Sequence, residues 1–298
     1  MLARLERTEL SERPVGQLLV GQLGLRFDYA FPRRTEIVLE GYDKLPQDRG
    51  VFIAMNHTDR FNYWPLQWRM CQLGGRFTAT WVKGKYFENP LLAWFLSSTN
   101  NIPLPSRGYL VATRLRRELG RDASPEEYRA LRDRLDAGEA DDLEGQFQAL
   151  MREVARLNRS ALHDKRLHLL VFPQGTRSRR LSRGHIGLAQ FAQHLGAPIV
   201  PVGCSGSDLC YPGNSPFSKG GRIVYRFGEP LEVDGPELAP HRVREDFVPL
   251  SREAGQLHAQ PFRAITDIVM ERIDGLVDTQ YRFADGEGGG EEGVGRFL

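Results

Sequence analysis

The sequence predicts an α/β fold: a largely parallel central sheet flanked by helices. Three observations predict it. Short apolar runs of strand length alternate with longer segments of helical period. Two of those runs, Val51–Met55 and Leu167–Phe172, are apolar but for His168, as strands buried on both faces are. Each then stops abruptly in a polar loop, the place where open α/β sheets gather their chemistry.

Along the chain, residues 1–35 read as an N-terminal helical segment. In it, Val15 to Phe31 is moderately apolar, suited to cover the core or to lie on a lipid surface, with core packing the expected role. Glu36–Gly41 reads as a strand, Leu45-Pro46 as a turn and Val51–Met55 as the first buried strand. Thr80–Lys85 and Asn101–Pro105 read as strand or loop segments around Pro90–Leu96, which is expected to be a buried helix. A helical insertion spans about 109–165. Ser124-Pro125-Glu126-Glu127 opens a helix with an N-cap Ser, Pro at N1 and Glu at N3, and Gly138 closes it. Leu143, Phe147, Leu150, Val154 and Leu157 form the apolar face of the next helix. His185–Leu195 reads as a helix ended by Gly196, Pro198–Val202 and Arg222–Phe227 as strands, and Phe262 to Leu276 as a last helix. The main domain therefore runs over 36–284. From residue 285 Gly and Glu dominate, the composition of a disordered tail.

Composition narrows the function. The 298 residues include 41% apolar and 26% charged ones, an ordinary globular balance. Forty basic against 38 acidic residues leave +2, which argues against a nucleic-acid partner. Cys71, Cys204 and Cys210 form no C-x-x-C unit and cannot pair evenly, so a reducing, cytoplasmic compartment is expected. The first residues lack the apolar run of a secretory signal, and no stretch nears the ~18 apolar residues of a membrane span.

Two loops carry candidate chemistry. In Asn56-His57-Thr58-Asp59-Arg60-Phe61-Asn62, a histidine just past a buried strand can serve as a general base on a hydroxyl. In Phe172-Pro173-Gln174-Gly175-Thr176-Arg177-Ser178, glycine admits an anion to the backbone, and Thr176, Arg177 and Ser178 supply donors for a phosphate. Arg179, Arg180 and Arg183 follow and could meet anionic lipid or the phosphates of a cofactor-like donor. Gly203-Cys204-Ser205-Gly206-Ser207 lacks the second glycine of a nucleophile elbow and supports a serine hydrolase only weakly. His163 and His168, five apart, make a poor zinc pair, and no metal site is expected.

Taken together, these blocks resemble the glycerolipid acyltransferase family that includes 1-acylglycerol-3-phosphate acyltransferase. Asn56 and His57 match its first block, though Asn62 stands where the family has Asp. Asn101–Arg107 matches the second block loosely and keeps Arg107. Phe172–Ser178 matches the third, with Gln174 for Glu, and Ala197–Val202 matches the fourth, centred on Pro. Lys83 to Pro90 and Gly228–Leu231 are similar too.

The resemblance implies transfer of a fatty acyl group from acyl-CoA or acyl carrier protein to a glycerophosphate or lysophospholipid hydroxyl, with no metal or redox cofactor. It implies His57 as base and Arg107, Gly175 and Arg177 as holders of the acceptor phosphate. Pro201 would line a substrate pocket. The work would be done peripherally at a membrane surface.

Two motif carboxylates are thus amides. In a Ser-His-Asp triad the corresponding Asp-to-Asn change lowers turnover about 10⁴-fold, or ~5.5 kcal/mol of barrier, whereas papain-like sites work with Asn in that role. Asp59, two residues beyond His57, could supply the missing charge if the loop curls back; as a helix cap or surface ion pair it would not. Asn62 also suits a cap for a helix beginning at Tyr63-Trp64-Pro65. Gln174 keeps the size of Glu without its repulsion toward a phosphate. The alternative reading is a catalytically impaired protein of the same fold that binds lipid or an acyl chain.

Overall fold

The computed structural model describes residues 1–284; the expected disordered tail lies outside the described residues. Seven strands among them form one sheet: β1 (Thr35–Glu40), β2 (Phe52–Met55), β3 (Thr78–Lys83), β4 (Asn101–Leu104), β5 (His168–Val171), β6 (Ile199–Ser205) and β7 (Gly221–Phe227). Their order is β1-β7-β6-β2-β5-β3-β4. Every ladder is parallel except β6–β7, so β1 and β7 run against the other five.

The sequence of β2 explains its place. Phe52, Ile53, Ala54 and Met55 are all fully buried, and only a strand with neighbours on both edges and layers on both faces can hide four such side chains. Phe52 and Ala54 face one layer with Leu169 and Val171 of β5. The helices Asp141–Arg159, Gly187–Leu195 and Ala259–Leu276 cover that side. Ile53 and Met55 face the other layer, with Val200, Val202 and Tyr225, under the helix Tyr63–Gln72 and the N-terminal segment. Gly203 lets the helix Ala259–Leu276 settle on β6: a Cβ there would lie 2.6 Å from the backbone of Leu276.

Local signals act as the sequence implies at Ser124, whose side chain and that of Glu127 form a reciprocal capping box, and at Gly138, which closes the helix Pro125–Ala137 at φ 81°. This helix lies in the insertion between β4 and β5, with Arg107–Leu119 before it and Asp141–Arg159 after it. The segment around Pro90 departs from expectation. The helix Pro90–Ser98 buries Ala93 and Leu96 but leaves Leu91 and Trp94 in solvent. It is too short and too close to the sheet edge for the protein to wrap it on all sides. The N-terminal segment departs in the same way: Leu25 and Tyr29 enter the core, while Val15, Leu19, Leu23, Phe27 and Phe31 stay exposed.

Candidate active site

β2 and β5 are adjacent and parallel, so their carboxyl ends open side by side. This brings together two loops more than a hundred residues apart. The backbone N–H of His57 donates to Gln174 Oε1 at 3.1 Å, and the N–H of Ser178 donates to the His57 carbonyl at 2.9 Å. The ring of Phe172 stacks on the His57 imidazole at 4.0 Å, and Tyr63 meets Phe172 edge-on. Asn56 fastens the far side of the loop to β6: its Nδ2 donates to the Cys204 carbonyl and its Oδ1 accepts the Cys204 N–H.

Asn62 fixes the tautomer of the imidazole. Its Nδ2 donates to the Asn56 carbonyl at 2.9 Å, which leaves Oδ1 directed at His57 Nδ1, 3.2 Å away. An amide oxygen only accepts, so Nδ1 carries the proton and Nε2 keeps its lone pair. The Tyr225 hydroxyl in turn donates to the Asn62 carbonyl at 2.6 Å. Asn62 does stand at the N-cap of the helix Tyr63–Gln72, but its side chain makes no capping bond because it is committed to His57.

Burial pushes the His57 pKa down to about 3. The Asn62 hydrogen bond opposes this, and the positive charges of Arg177 and Lys83 add to it. The ring is therefore neutral at neutral pH, with a free Nε2 in a positive field. Lys83, at the end of β3, was not among the candidates read from the sequence. A cation at the carboxyl end of a parallel strand was the available signal.

Asp59 does not reach the ring. Its carboxylate accepts the Phe61 N–H at 2.8 Å, closing an Asx turn, and the Thr58 hydroxyl at 3.0 Å. Burial raises its pKa to about 6, against the lowering effect of the bonds from the Phe61 N–H and the Thr58 hydroxyl. The charge expected to compensate for Asn62 is thus spent on shaping the loop.

Gln174 is the hub of the second loop. It is 2% exposed, and its Nε2 donates to Ser178 Oγ and Ser182 Oγ while its Oε1 holds His57. Ser178 donates its hydroxyl to the Arg180 carbonyl. Gly175 turns outward at φ 67°, and a Cβ there would press on the His185 ring at 2.8 Å. Gly175 and Thr176 are exposed, and Arg177 is half-buried beside the imidazole.

Two expected residues stand elsewhere. Arg107, just past β4 at the edge of the sheet, is held by Glu144 of the insertion through bonds of 3.0–3.2 Å and lies on the Phe147 ring. Its donors are already turned to a carboxylate. Pro201 is buried in β6, with its carbonyl accepting the Gly228 N–H and its ring against Gly228, so it lines no open surface. Ser205 is 2% exposed, and its Oγ accepts the Asp278 N–H, leaving no accessible nucleophile there. His168 is fully buried with neither ring nitrogen partnered. Among the described residues no group of three or more metal-ligating side chains gathers.

A narrow apolar cleft of about 30 Å³ opens between the N-terminal segment and the helix Tyr63–Gln72. Leu18, Leu25, Trp64, Trp68 and Phe95 line it, and Tyr63 links it to Phe172 and His57.

The family model for acyltransferases matches residues 36–205, more than half of the chain and the stretch that holds both loops. The chain belongs to the acyltransferase family. No curated protein matches it. Among solved structures it is similar to the 1-acyl-sn-glycerophosphate (LPA) acyltransferase of Thermotoga maritima. The identity is 16%, covering 89% of this chain and 86% of that one, with a TM-score of 0.47.

Proposed function

We propose that this acyltransferase moves a fatty acyl group from a thioester, acyl-CoA or acyl carrier protein, to the hydroxyl of a lysophospholipid or glycerophosphate. His57 Nε2 takes the hydroxyl proton as the oxygen attacks the thioester carbonyl. The tetrahedral intermediate collapses, the C–S bond breaks, and the leaving thiolate recovers the proton from Nε2. The imidazole ends neutral, and no acyl-enzyme forms.

Arg177, with Lys83 and the exposed backbone at Gly175–Thr176, holds the acceptor phosphate. Arg107 has no part in this, because Glu144 already engages it. The cleft beside Tyr63 presents an apolar lining toward which a hydrocarbon chain can lie once it widens. The reaction as written needs only the thioester and the hydroxyl, and we place it on the cytoplasmic face of a membrane.

The observation that carries this reading is the bond from His57 Nδ1 to Asn62 Oδ1, which leaves Nε2 as the base. Thiol release from acyl-CoA in the presence of lysophosphatidate tests it. His57→Gln is expected to lower turnover about 10²–10⁴-fold, the usual worth of a general base, with the unfolding midpoint retained. Unchanged turnover in the variant would remove His57 from the chemistry. One observation favours the second reading, a lipid-binding protein without turnover: among the described residues no carboxylate pairs with the imidazole. Saturable lysophosphatidate binding with no thiol release by the natural chain would establish it.

A further inference from the structure

The sheet face beneath the helix Tyr63–Gln72 changes character across its width. One row of paired residues reads Ile53, Leu170, Thr80 and Asn101, from β2 through β5 and β3 to β4. The next row sets His168 beside Thr78. Residues paired across a parallel sheet share a face, and so do residues two apart on one strand. Thr78, Thr80, Asn101 and His168 therefore continue the face that Ile53 and Leu170 begin. None of the four is more than 3% exposed.

Part of this buried polarity is met within the protein. Gln67 Nε2, from the helix above, donates to Thr78 Oγ1 at 2.6 Å and to Thr80 Oγ1 at 3.2 Å. Asn101 Nδ2 donates to Thr99 Oγ1 and to the Leu96 carbonyl. The remainder is not met. Among the described residues Asn101 Oδ1, Trp68 Nε1 and both ring nitrogens of His168 are buried without a hydrogen-bond partner. Buried polar atoms are nearly always partnered, so four in one region call for a physical reason.

Two of them, Asn101 Oδ1 and Trp68 Nε1, belong to residues that line the cleft between the N-terminal segment and the helix Tyr63–Gln72. Gly21 brings no side chain over the indole edge next to Nε1. A wall made for bare hydrocarbon would carry no such atoms, because laying a methylene chain over them removes water and returns no hydrogen bond. The two atoms are also complementary. An amide oxygen accepts, an indole N–H donates, and a hydroxyl does both at once. A ketone or an ether only accepts.

We propose that the cleft selects an acyl chain bearing a hydroxyl along its middle, which donates to Asn101 Oδ1 and accepts from Trp68 Nε1–H. The proposal rests on the acyl-transfer reading above and names the kind of donor chain. The position follows from β3. Lys83, whose charge reaches the imidazole, ends that strand. Thr80 and Thr78 lie three and five residues back, ~10 and ~17 Å at about 3.3 Å per residue. With the thioester at His57, a hydroxyl at this depth is many bonds along the chain, while one on carbon 3 stays beside the imidazole.

The space of about 30 Å³ has the room of one or two waters, so a hydroxyl fits it and the rest of the chain must part the walls. Gln17 pins one end of the segment through bonds to the Thr78 and Thr99 carbonyls at 2.7 and 2.8 Å. Tyr29 pins the other through the Tyr211 hydroxyl. The wall between these pins includes the π-turns of Val20–Leu25, whose geometry is looser than that of an α-helix.

Thiol release with lysophosphatidate as acceptor tests the proposal, comparing 12-hydroxystearoyl-CoA, 3-hydroxystearoyl-CoA and stearoyl-CoA. In the natural chain kcat/KM for the 12-hydroxy donor is expected to exceed that for stearoyl-CoA about tenfold or more, with no such gain for the 3-hydroxy donor. W68F keeps a ring and removes the N–H, and N101L removes the acceptor. Each should lower the ratio of 12-hydroxy to plain donor at least threefold. Should N101L fail to fold, W68F decides alone.

A ratio near one in the natural chain overturns the proposal. So does a ratio that the folded variants leave intact, even with a lower unfolding midpoint, since Asn101 and Trp68 would then serve the packing of the core alone. Should no donor release thiol, the acyl-transfer reading fails by itself, and displacement of a fluorescent fatty acid decides this one. Displacement by 12-hydroxystearate at a tenfold lower concentration than stearate would uphold a hydroxyl-selective cleft; equal displacement would overturn it.

Discussion

Replacing Asn62 by Asp should speed the reaction while making the fold less stable. The amide oxygen is 3.2 Å from His57 Nδ1, so a carboxylate there would lie about 4 Å from the centre of charge of the imidazolium. At an effective dielectric constant near 20 that attraction is worth ~4 kcal/mol, or about three pH units of basicity. It acts when the ring gains its proton, late on the path to the intermediate, so it lowers the barrier rather than strengthening ground-state binding. An increase in kcat of about 10–10³-fold is expected, below the ~4 kcal/mol ceiling because proton transfer is incomplete in the transition state. The costs fall on folding. Asn62 is fully buried, and its Nδ2–Asn56 bond would become a contact between two oxygens at 2.9 Å, a loss of about 1–3 kcal/mol. Thiol release at saturating donor and acceptor, followed from pH 4 to 8, reads the first effect, and thermal unfolding reads the second. The active ring is the neutral one, so raising its pKa from about 3 moves the acid limb of the profile up by about two to three pH units. A folded variant whose kcat and acid limb both match those of the natural chain would refute this account of Asn62.

Asp59→Asn should stabilise the protein above pH 6 by up to ~3 kcal/mol. The Asp59 pKa is raised to about 6 in the fold, so the natural chain loses stability as pH climbs from about 4 through 6. The variant keeps the acceptor for the Phe61 N–H and should show a flatter urea-unfolding profile across that window; an unchanged slope would contradict the burial of a charge there. Arg107→Ala and Glu144→Ala should each lower the unfolding midpoint, and the double variant should be no worse than the poorer single one, with a coupling of about 1–3 kcal/mol. Acceptor KM should stay within threefold in both; a tenfold rise in Arg107→Ala would mean that the guanidinium leaves Glu144 for the phosphate.

Much of the frame was legible because buried parallel strands announce themselves. Four-residue runs such as Phe52–Met55 and His168–Val171 admit little else, and the loops that follow them had to open at one end of the sheet. Which strands were neighbours was not legible from local pattern. The family blocks implied that the loops meet, and the β2–β5 pairing places them together. The antiparallel β6–β7 pair was hidden too, since alternation in Gly221–Phe227 fixes faces and not direction. At the site, residue types were readable and partners were not. Asn62 had two suitable acceptor roles, helix cap and histidine orienter, and the choice between them depends on where Asn56 puts its carbonyl. The partners of Asp59 and Arg107 were hidden for the same reason. Each is satisfied by a group that sequence distance conceals: the Phe61 amide within a turn, and Glu144 across the insertion. The exposed Val15, Leu19, Leu23, Phe27 and Phe31 were the converse case. Their periodicity marks a face, yet nothing in a periodicity says whether that face has a partner.

The two amides, taken together, change what the site attracts. With carboxylates at 62 and 174, the charges of Arg177 and Lys83 would be cancelled within the protein. With Asn62 and Gln174 they are not, and the imidazole loses basicity to them after burial has taken the larger share. If, as proposed, Arg177 and Lys83 hold the acceptor, a phosphate dianion would supply the missing negative charge. Its arrival would remove the part of the pKa depression that the cations cause, so the base would strengthen with the acceptor in place and stay weak without it. A strong standing base beside a bound thioester would promote its hydrolysis, which the arrangement proposed here would suppress. The ring resonance of His57, assigned by its absence in His57→Gln, should therefore titrate at a higher pH with saturating glycerol phosphate than without it. Burial stays the larger cause, so the midpoint should remain well below that of a solvent-exposed histidine even then. A midpoint that phosphate leaves fixed or lowers would mean that Arg177 and Lys83 do not meet the acceptor, and the paired loss of charge at 62 and 174 would need a different cause.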